Sequence, residues 1–177
     1  MLIFVTGVAG SGKSTLCAEL VGRGIGAHDA DEGVARHVRL VDGAESPAPP
    51  RDAQGPAWVS AHEFRFDLAR VRALASQATP QDPVVLLGAA YGDEEVITIA
   101  HGSWYLDLDE TELLRRLAAR PSCAYGHAPH ERESILAWHA AAAARYESLG
   151  ARRLDATRPV RSLADEILAA ATAGISH

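Results

Sequence analysis

The stretch from Gly7 to Thr15 constrains the fold of this chain more than any other part of the sequence. It reads GVAGSGKST, and residues 7–14 follow the pattern G-x-x-x-x-G-K-[ST]. The apolar, strand-forming run 2–6 precedes it, and apolar residues recur at helical spacing over 16–21. This pattern is informative only between a strand and a helix, and both are predicted here. The sequence therefore predicts an α/β protein.

The residue types of this stretch explain how it would bind phosphate. Glycines allow backbone angles that a β-carbon forbids, and they let consecutive N–H groups converge on one anion. The helix that follows directs its free N–H groups to the same point. Lys13 adds a cation for the β- and γ-phosphates of ATP, and Ser14 offers a hydroxyl to Mg²⁺. The predicted nucleotide-binding residues in this loop are Gly7, Gly10, Ser11, Gly12, Lys13, Ser14 and Thr15.

Lysine usage supports the same interpretation. Lys13 is the only lysine in the chain, so the rest of the 17 Lys and Arg residues are arginines. The planar guanidinium of arginine does not replace a compact ammonium on a flexible stem. A chain that otherwise uses arginine keeps lysine at the one position where phosphate chemistry requires it.

Length, charge and cysteine content narrow the class of protein. A chain of 177 residues predicts one domain, residues 1–177, large enough for a substantial core. The net charge of −6 argues against nucleic acid as a partner. Two cysteines give no disulfide framework, which indicates the cytoplasm. No apolar run reaches about 18 residues, and the N-terminus leads directly into the first strand, so we expect neither a membrane span nor a cleavable signal.

Two aspartates follow the predicted second strand, residues 25–28. Asp29 and Asp31 are two positions apart and therefore point to the same side. The carboxyl end of a strand in an open α/β sheet is where ligands bind, so both carboxylates are expected to face the phosphate site. The alternative is that Asp31 caps a helix predicted over 33–41.

The remaining sequence alternates between strands and helices. A loop is predicted over 42–57. Helices are predicted over 60–74, 96–99, 112–120, 131–149 and 162–173, the last with Ser162 as N-cap, and strands over 83–90, 104–108 and 152–155. Within the segment 121–130, residues 125–130 contain Gly126 and Pro129 and too few apolar residues to pack well. Arg116 and Arg120 precede it at helical spacing, on one predicted face, so we expect a mobile segment beside two cations.

The glycine-rich motif and the alternation of strand and helix over nearly the whole chain resemble the P-loop small-molecule kinases, the group of adenylate, shikimate and gluconate kinases. The resemblance implies a three-layer α/β fold with a five-stranded parallel sheet of order 2-3-1-4-5 and helices on both faces. It also implies a small lid at about residues 121–131 and an acceptor-binding region at about 32–78. The sequence contains no D-x-x-G or N-K-x-D guanine signature.

The same resemblance implies roles for individual residues. Asp29 would assist Ser14 in holding Mg²⁺, and Asp31 would hold the acceptor hydroxyl. Phe64-Arg65 is similar to a pair on the acceptor-binding helix, and Gly88 to a glycine run against the acceptor. The implied substrate-binding residues are Asp31, His62, Arg65 and Gly88. Arg116 and Arg120 resemble lid arginines, and the adenine loop would use Asp155, Thr157, Arg158 and Pro159, together with Arg116.

The sequence therefore predicts an ATP- and Mg²⁺-dependent phosphotransferase that acts on a hydroxyl of a small polar metabolite, such as a sugar, cyclitol or hydroxy acid. A nucleoside or nucleoside monophosphate kinase is an alternative, and a non-catalytic ATP- or ADP-binding regulatory module is another. A monomer or homodimer is expected. The predicted catalytic residues are Lys13, Asp31, Arg116 and Arg120.

Overall fold

The computed structural model describes residues 1–48, 54, 56–121 and 125–173. The helices and strands in these residues are, in chain order, β1 Leu2–Thr6, α1 Lys13–Gly22, β2 Gly26–Asp29, β3 Ala35–Arg39, α2 Pro56–Ala61, β4 His62–Phe66, α3 Leu68–Gln77, β5 Val84–Leu87, α4 Asp93–Ile99, β6 Gly102–Asp107, α5 Glu110–Ala118, α6 Pro129–Ser148, β7 Arg152–Asp155 and α7 Val160–Ala173.

The main sheet has five parallel strands in the order β2-β5-β1-β6-β7. Counted among the strands of this sheet, the order is second, third, first, fourth and fifth, which confirms the prediction. Every residue of β1 is buried. A central parallel strand is covered on both faces, which explains why its sequence is continuously apolar.

Helices cover both faces of the sheet, as the three-layer prediction requires. Ile3 and Val5 of β1 join one core with residues of α1, α5 and α7. Leu2 and Phe4 point to the opposite face and join a second core with residues of α3 and α4. This alternation follows from the period of two in a strand.

A second, two-stranded sheet corrects the secondary structure predicted between residues 33 and 74. Residues 33–41 were predicted to be helical, but they contain β3, which pairs antiparallel with β4. The helix predicted over 60–74 is instead α2, β4 and α3. Helix α3 begins only after Asp67, whose carboxylate accepts the N–H groups of Ala69 and Arg70. The helical spacing of apolar residues was misleading because backbone pairing with β3 holds residues 62–66 extended.

This small sheet is attached to the carboxyl end of the main sheet. The Phe66 N–H donates to the Tyr91 carbonyl at 2.9 Å, and the Tyr91 N–H donates to the Phe64 carbonyl at 2.8 Å. Tyr91 lies in the turn between β5 and α4, so β4 continues the ligand-binding edge of the main sheet.

The final helix also begins earlier than predicted. Helix α7 starts at Val160, and Ser162 lies inside it rather than at its N-cap. The Ser162 N–H donates to the Pro159 carbonyl at 2.9 Å. The fixed backbone angle of proline suits the start of a helix, which explains the earlier onset.

Candidate active site

The loop of residues 7–15, here called the P-loop, turns sharply between β1 and α1. Gly10 and Gly12 have φ angles of 89° and 108°, in the left-handed region that favours glycine. A β-carbon on Gly10 would lie 3.0 Å from Leu117 Cδ2, whereas one on Gly12 would meet only Arg116 Nη1, at 3.6 Å. The loop is thus packed on its core side and open beside Gly12, where the N–H groups of α1 begin.

The Lys13 ammonium lies inside the P-loop. Its Nζ donates to the Gly7 carbonyl and, at 3.0 Å, to the Val8 carbonyl. Loss of hydration lowers the pKa of Lys13 to about 8, against the opposing attraction of Asp31 and Asp29. The nearby Arg120 lowers the pKa further. The ammonium is therefore poorly compensated, and a phosphate in the loop would supply the missing negative charge.

Ser14 and Asp29 come together from the start of α1 and the end of β2. The Ser14 hydroxyl donates to Asp29 Oδ2 at 3.0 Å. Asp29 Oδ1 accepts the backbone N–H of Asp31 at 3.2 Å, which closes the turn after the strand. A hydroxyl and a carboxylate oxygen at hydrogen-bond distance are hard oxygen donors of the kind that Mg²⁺ requires, so these side chains fit the predicted metal.

The Asp31 carboxylate lies near enough to Lys13 and Arg120 for its charge to interact with theirs. Although Asp31 has access to solvent, partial loss of hydration raises its pKa, and repulsion by Asp29 adds to this effect. Lys13 and Arg120 act in the opposite direction. No helix starts after Asp31, because the chain turns and enters β3, so the alternative of a helix cap is wrong. A carboxyl with a raised pKa is suited to accepting a proton.

Arg116 links the P-loop to the predicted adenine loop, residues 155–159. From α5, its Nη1 donates to the Ser11 carbonyl at 3.1 Å and its Nη2 to the Ala156 carbonyl at 2.8 Å. Its Nε donates to Glu112 Oε1 at 2.7 Å. The guanidinium thus fixes the distance between the two loops, and its position beside Gly12 also suits a contact with phosphate.

The adenine loop is held by its own side chains. Asp155 Oδ1 accepts the N–H of Thr157 at 2.9 Å and its hydroxyl at 2.6 Å. These hydrogen bonds hold the pKa of Asp155 below its usual range. Arg158 forms an ion pair with Glu166 of α7 at 2.6 Å. Asp155 and Arg158 therefore shape the loop, and Pro159 begins the following helix.

The sequence predicted that Arg116 and Arg120 share one face of a helix, but in the structure they do not. Helix α5 ends at Ala118, and Arg120 lies beyond it. The early end of the helix redirects the side chain, so that Nη1 donates to the Tyr125 carbonyl at 2.8 Å. Its charge nevertheless acts on Lys13 and Asp31, so Arg120 lies in their neighbourhood.

The segment predicted as a lid has more internal contacts than its composition indicated, which corrects the expectation of poor packing. Residues 122–124 lie outside the described residues. Glu131 Oε2 accepts the Gly126 N–H at 2.9 Å, and Arg132 Nε donates to the Gly126 carbonyl at 3.0 Å. Gly126 is buried, and a β-carbon there would lie 2.8 Å from Leu117 and 2.9 Å from Ile135. The mobility of the lid stays a prediction.

Two predicted substrate residues lie on the small sheet, where their surroundings differ from expectation. Phe64 and Arg65 are on strand β4, not on a helix. His62 stacks on Trp58 with ring centroids 4.3 Å apart, and its nitrogens contact the Trp58 carbonyl at 2.7 Å and the Ser46 hydroxyl at 3.1 Å. These contacts favour a structural role for His62, because both ring nitrogens already have partners.

Gly88 needs its small size for a reason that the sequence did not indicate. A β-carbon on Gly88 would lie 2.3 Å from the β-carbon of Ala30. The Ala30 N–H donates to the Leu87 carbonyl at 2.7 Å, which draws the end of β2 against β5. Ala30, rather than a ligand, occupies the space above Gly88, and it lies between the two site aspartates.

We therefore expect Gly88→Ala to displace Asp29 and Asp31. The clash is of the kind that costs about 1–3 kcal/mol in a packed interior, and turnover should fall in the fraction that folds. Gly26→Ala is the matched control, because its β-carbon would lie at an ordinary 3.7 Å from Val84. The double variant Gly88→Ala/Ala30→Gly should recover stability and turnover. Unchanged melting and turnover in Gly88→Ala would contradict this account.

A buried polar network beside β1 was missed by the sequence analysis. The Thr6 hydroxyl donates to Tyr146 Oη at 3.2 Å, and Tyr146 donates to Asp93 Oδ2 at 2.9 Å. Arg145 adds two hydrogen bonds to Asp93, at 2.7 and 2.9 Å. Burial and the Asp93 carboxylate raise the pKa of Tyr146 to about 12. The network holds α6 and α4 against the residue before the P-loop, and no sequence pattern connects positions so far apart.

Comparison with known proteins agrees with this architecture. Residues 3–137 match a family model described as "AAA domain". The shikimate kinase of Acinetobacter baumannii in complex with shikimate has a TM-score of 0.61 at 15% identity, covering 99% of this chain and 95% of that chain. An unliganded sugar kinase from Janibacter sp. has a TM-score of 0.54 at 18% identity, covering 95% and 92%. A gluconokinase from Sinorhizobium meliloti has a TM-score of 0.50 at 20% identity, covering 98% and 92%.

These similarities show an α/β P-loop kinase fold, in agreement with the resemblance seen in the sequence. No curated protein sequence matches the chain. Within residues 1–48, 54, 56–121 and 125–173, no helix combines the length and apolar character that crossing a membrane requires.

Proposed function

The chain belongs to the AAA domain family, and we propose that it is an ATP-dependent phosphotransferase acting on a hydroxyl of a small polar metabolite. The observation that carries the proposal is the Ser14–Asp29 hydrogen bond of 3.0 Å beside the Lys13 ammonium. It brings a hydroxyl, a carboxylate and a cation to one end of the sheet, and Asp31 follows within two residues. Phosphoryl transfer needs this combination of positioning and charge neutralisation.

Each residue has a role in the proposed reaction. The P-loop N–H groups and Lys13 bind the β- and γ-phosphates, while Ser14 and Asp29 hold Mg²⁺. When bound, Mg²⁺ neutralises charge on the phosphates. Asp31 orients the acceptor hydroxyl and takes its proton as the acceptor oxygen forms a bond to the γ-phosphorus. The bond from that phosphorus to the β–γ bridging oxygen breaks, which leaves ADP. Arg116 and Arg120 stabilise the negative charge during transfer.

A nucleoside or nucleoside monophosphate kinase and a non-catalytic ATP- or ADP-binding module are the competing functions. The proximity of Asp31 to Lys13 supports catalysis over binding alone, because a binding module has no need for a base at that position. The direct test is a screen of candidate acceptors in which ADP release is coupled to a colour change. If the protein binds ATP but no class of acceptor causes ADP release, the result would support the binding module.

We also propose that residues 1–177 act as one domain in the cytoplasm, as a monomer or homodimer. The proposal of one domain is supported by the main sheet, whose two faces carry the two large cores of the described residues.

The pKa of Lys13 leads to a pH-dependent affinity for ATP. In the free protein this pKa is about 8, and phosphate oxygens beside the ammonium should raise it. Between these two pKa values the complex holds one more proton than the free protein. Affinity should therefore be constant below a pH of about 8 and fall up to about tenfold per pH unit above it.

Titration calorimetry from about pH 7 to about pH 9.5 would measure this effect, with proton uptake obtained from buffers of different ionisation enthalpy. Lys13→Arg is the control, since its guanidinium stays charged throughout that range. Equal slopes for the two proteins would show that another group controls the pH dependence.

A further inference from the structure

In the described residues, the arginines expected on the acceptor side of the site are paired with carboxylates. We propose that the acceptor carries neither a carboxylate nor a phosphate, and that it is an uncharged polyol or an amino sugar. This inference rests on the proposed function and narrows the hydroxyl compounds that the fold would otherwise allow. It excludes hydroxy acids and nucleoside monophosphates.

Arg65 is the first cation expected to recognise an anionic acceptor, and it is already paired. Its Nε donates to Glu63 Oε1, two residues earlier on β4. The Glu63 side chain is 14% exposed, against 47% for Arg65. A substrate carboxylate that displaced Glu63 would leave this largely buried carboxylate without its partner, which is unfavourable. Glu95 also acts electrostatically on Arg65.

Arg145 is neutralised still more completely. Its two terminal nitrogens contact both oxygens of Asp93, at 2.7 and 2.9 Å, and Nη2 also contacts Glu94 at 2.9 Å. The Asp93 side chain is only 7% exposed. A bidentate pair with a buried carboxylate does not exchange readily for a soluble anion.

Both arginines are attached to the segment that leaves β5 at the ligand-binding edge. Arg65 forms a bridge with Tyr91, while Arg145 binds the first two residues of α4. The carboxylates around them are Glu63, Asp93, Glu94 and Glu95. Two positive and four negative charges leave this region with a formal charge of −2. An anionic acceptor entering beside it would be repelled, and an amine would be attracted.

Three more arginines in the described part of region 32–78 also pair with carboxylates. Arg36 pairs with Glu45 and Asp67, Arg39 with Asp42, and Arg70 with Asp67. Arg72 is exposed on α3, about 200° around the helix from Arg70.

Two of the three cations placed on the phosphate side are in a different state, while Arg116 pairs with Glu112. Lys13 and Arg120 bind backbone carbonyls, which leave their positive charge in place. In the described residues, positive charge is thus available beside the P-loop, whereas Arg65 and Arg145 on the proposed acceptor side are paired with carboxylates. Two of the similar solved structures are named for the hydroxy acids shikimate and gluconate. A carboxylate on such an acceptor would require an arginine fork that is free to receive it.

The test compares polyhydroxyl acceptors of different charge: glucose, glucosamine and gluconate, and separately myo-inositol and shikimate. ADP release should be at least about tenfold faster with the uncharged and amine-bearing compounds, because like charges placed together are costly. Faster release with gluconate or shikimate would overturn the inference. So would ADP release with the anionic acceptors alone. ATP binding without ADP release for every acceptor would support the binding module and count against the proposed function. Failure to bind ATP with Mg²⁺ would instead reject the proposed function itself.

Glu63→Gln tests the structural cause. Freeing Arg65 should lower the ratio of the ADP release rate with glucose to the rate with gluconate by about fivefold. This is the size expected for a partly exposed ion pair. Glu45→Gln is the matched control on the same small sheet, because Arg36 keeps Asp67 as its partner. Thermal melts verify that both variants fold. Identical behaviour of the two variants would overturn the role assigned to Glu63.

Discussion

Lys13→Ala should lower phosphoryl transfer on the order of 10³-fold, the scale for loss of one preorganised donor at a developing charge. The ammonium lies inside the P-loop at 3.0 Å from the Val8 carbonyl, where it can move to the phosphates without a large rearrangement. No arginine can reproduce it there, because a planar fork is bulkier and less flexible. ADP release with a productive acceptor, measured at saturating ATP, gives the effect on kcat.

The same variant should keep its fold. The lowered pKa of Lys13, about 8, means that the folded protein disfavours the charged form. Below that pH the charged Lys13 lowers the free energy of unfolding by its full amount. This effect disappears only as the pH rises towards the pKa that lysine has in the unfolded chain. Removing the ammonium eliminates this contribution, which offsets the loss of its hydrogen bonds to two carbonyls.

Arg115→Ala provides the control for a nearby loss of positive charge. Arg115 is exposed on α5 and pairs with Glu112 at 2.6 Å, so its removal should leave turnover close to that of the unchanged protein. A folded Lys13→Ala protein with near-normal turnover would contradict the assignment of the P-loop. Loss of the melting transition would mean instead that Lys13 supports the fold.

Asp31→Asn is the second substitution for which we expect a large decrease in kcat. A general base contributes typically about 10²–10⁴-fold, so kcat should fall by about 10²-fold or more. ATP affinity should change little, because Ser14 and Asp29 keep their hydrogen bond at 3.0 Å. Asparagine keeps the shape of the side chain and removes the proton acceptor, which separates chemistry from packing.

The pH profile adds an independent readout for Asp31. Its pKa is raised by partial loss of hydration and by Asp29, so kcat should decrease as the pH falls through this raised value. Asp31→Asn should lack that acidic limb. Glu32→Gln is the neighbouring control: Glu32 is exposed and only adds to the repulsion that raises the pKa of Asp31, so this variant should keep its acidic limb. An unchanged kcat in Asp31→Asn would leave Asp31 with only a structural part in the turn.

The part of the site closest to the P-loop could be predicted from the sequence because its determinants are local. Glycines, one lysine and a hydroxyl must be consecutive to surround a phosphate, and the flanking strand and helix are encoded by nearby apolar residues. The placement of Asp29 followed from a general rule of parallel sheets, whose ligands bind at the carboxyl edge. The strand order of the main sheet was implied by the family resemblance that these residues carry.

Residues 33–74 could not be predicted in the same way. Phe64, Leu68 and Leu74 have helical spacing, yet pairing of β4 with β3 makes Phe64 part of a strand. A few apolar residues at helical spacing weigh less than a ladder of backbone hydrogen bonds to a partner more than twenty residues away. Arg120 lies past the end of α5, and Pro121 directly after it was the sequence signal for this earlier end of the helix.

By itself, the sequence determined the P-loop, the buried first strand and the aspartates after the second strand, because these depend on neighbouring residues. Only the tertiary structure decided what lies above Gly88 and which arginines are neutralised. Ala30 reaches Gly88 through the pairing of β2 with β5, and Asp93 reaches Arg145 across 52 positions of sequence. Contacts of this kind depend on how distant elements pack, so no sequence motif could indicate them.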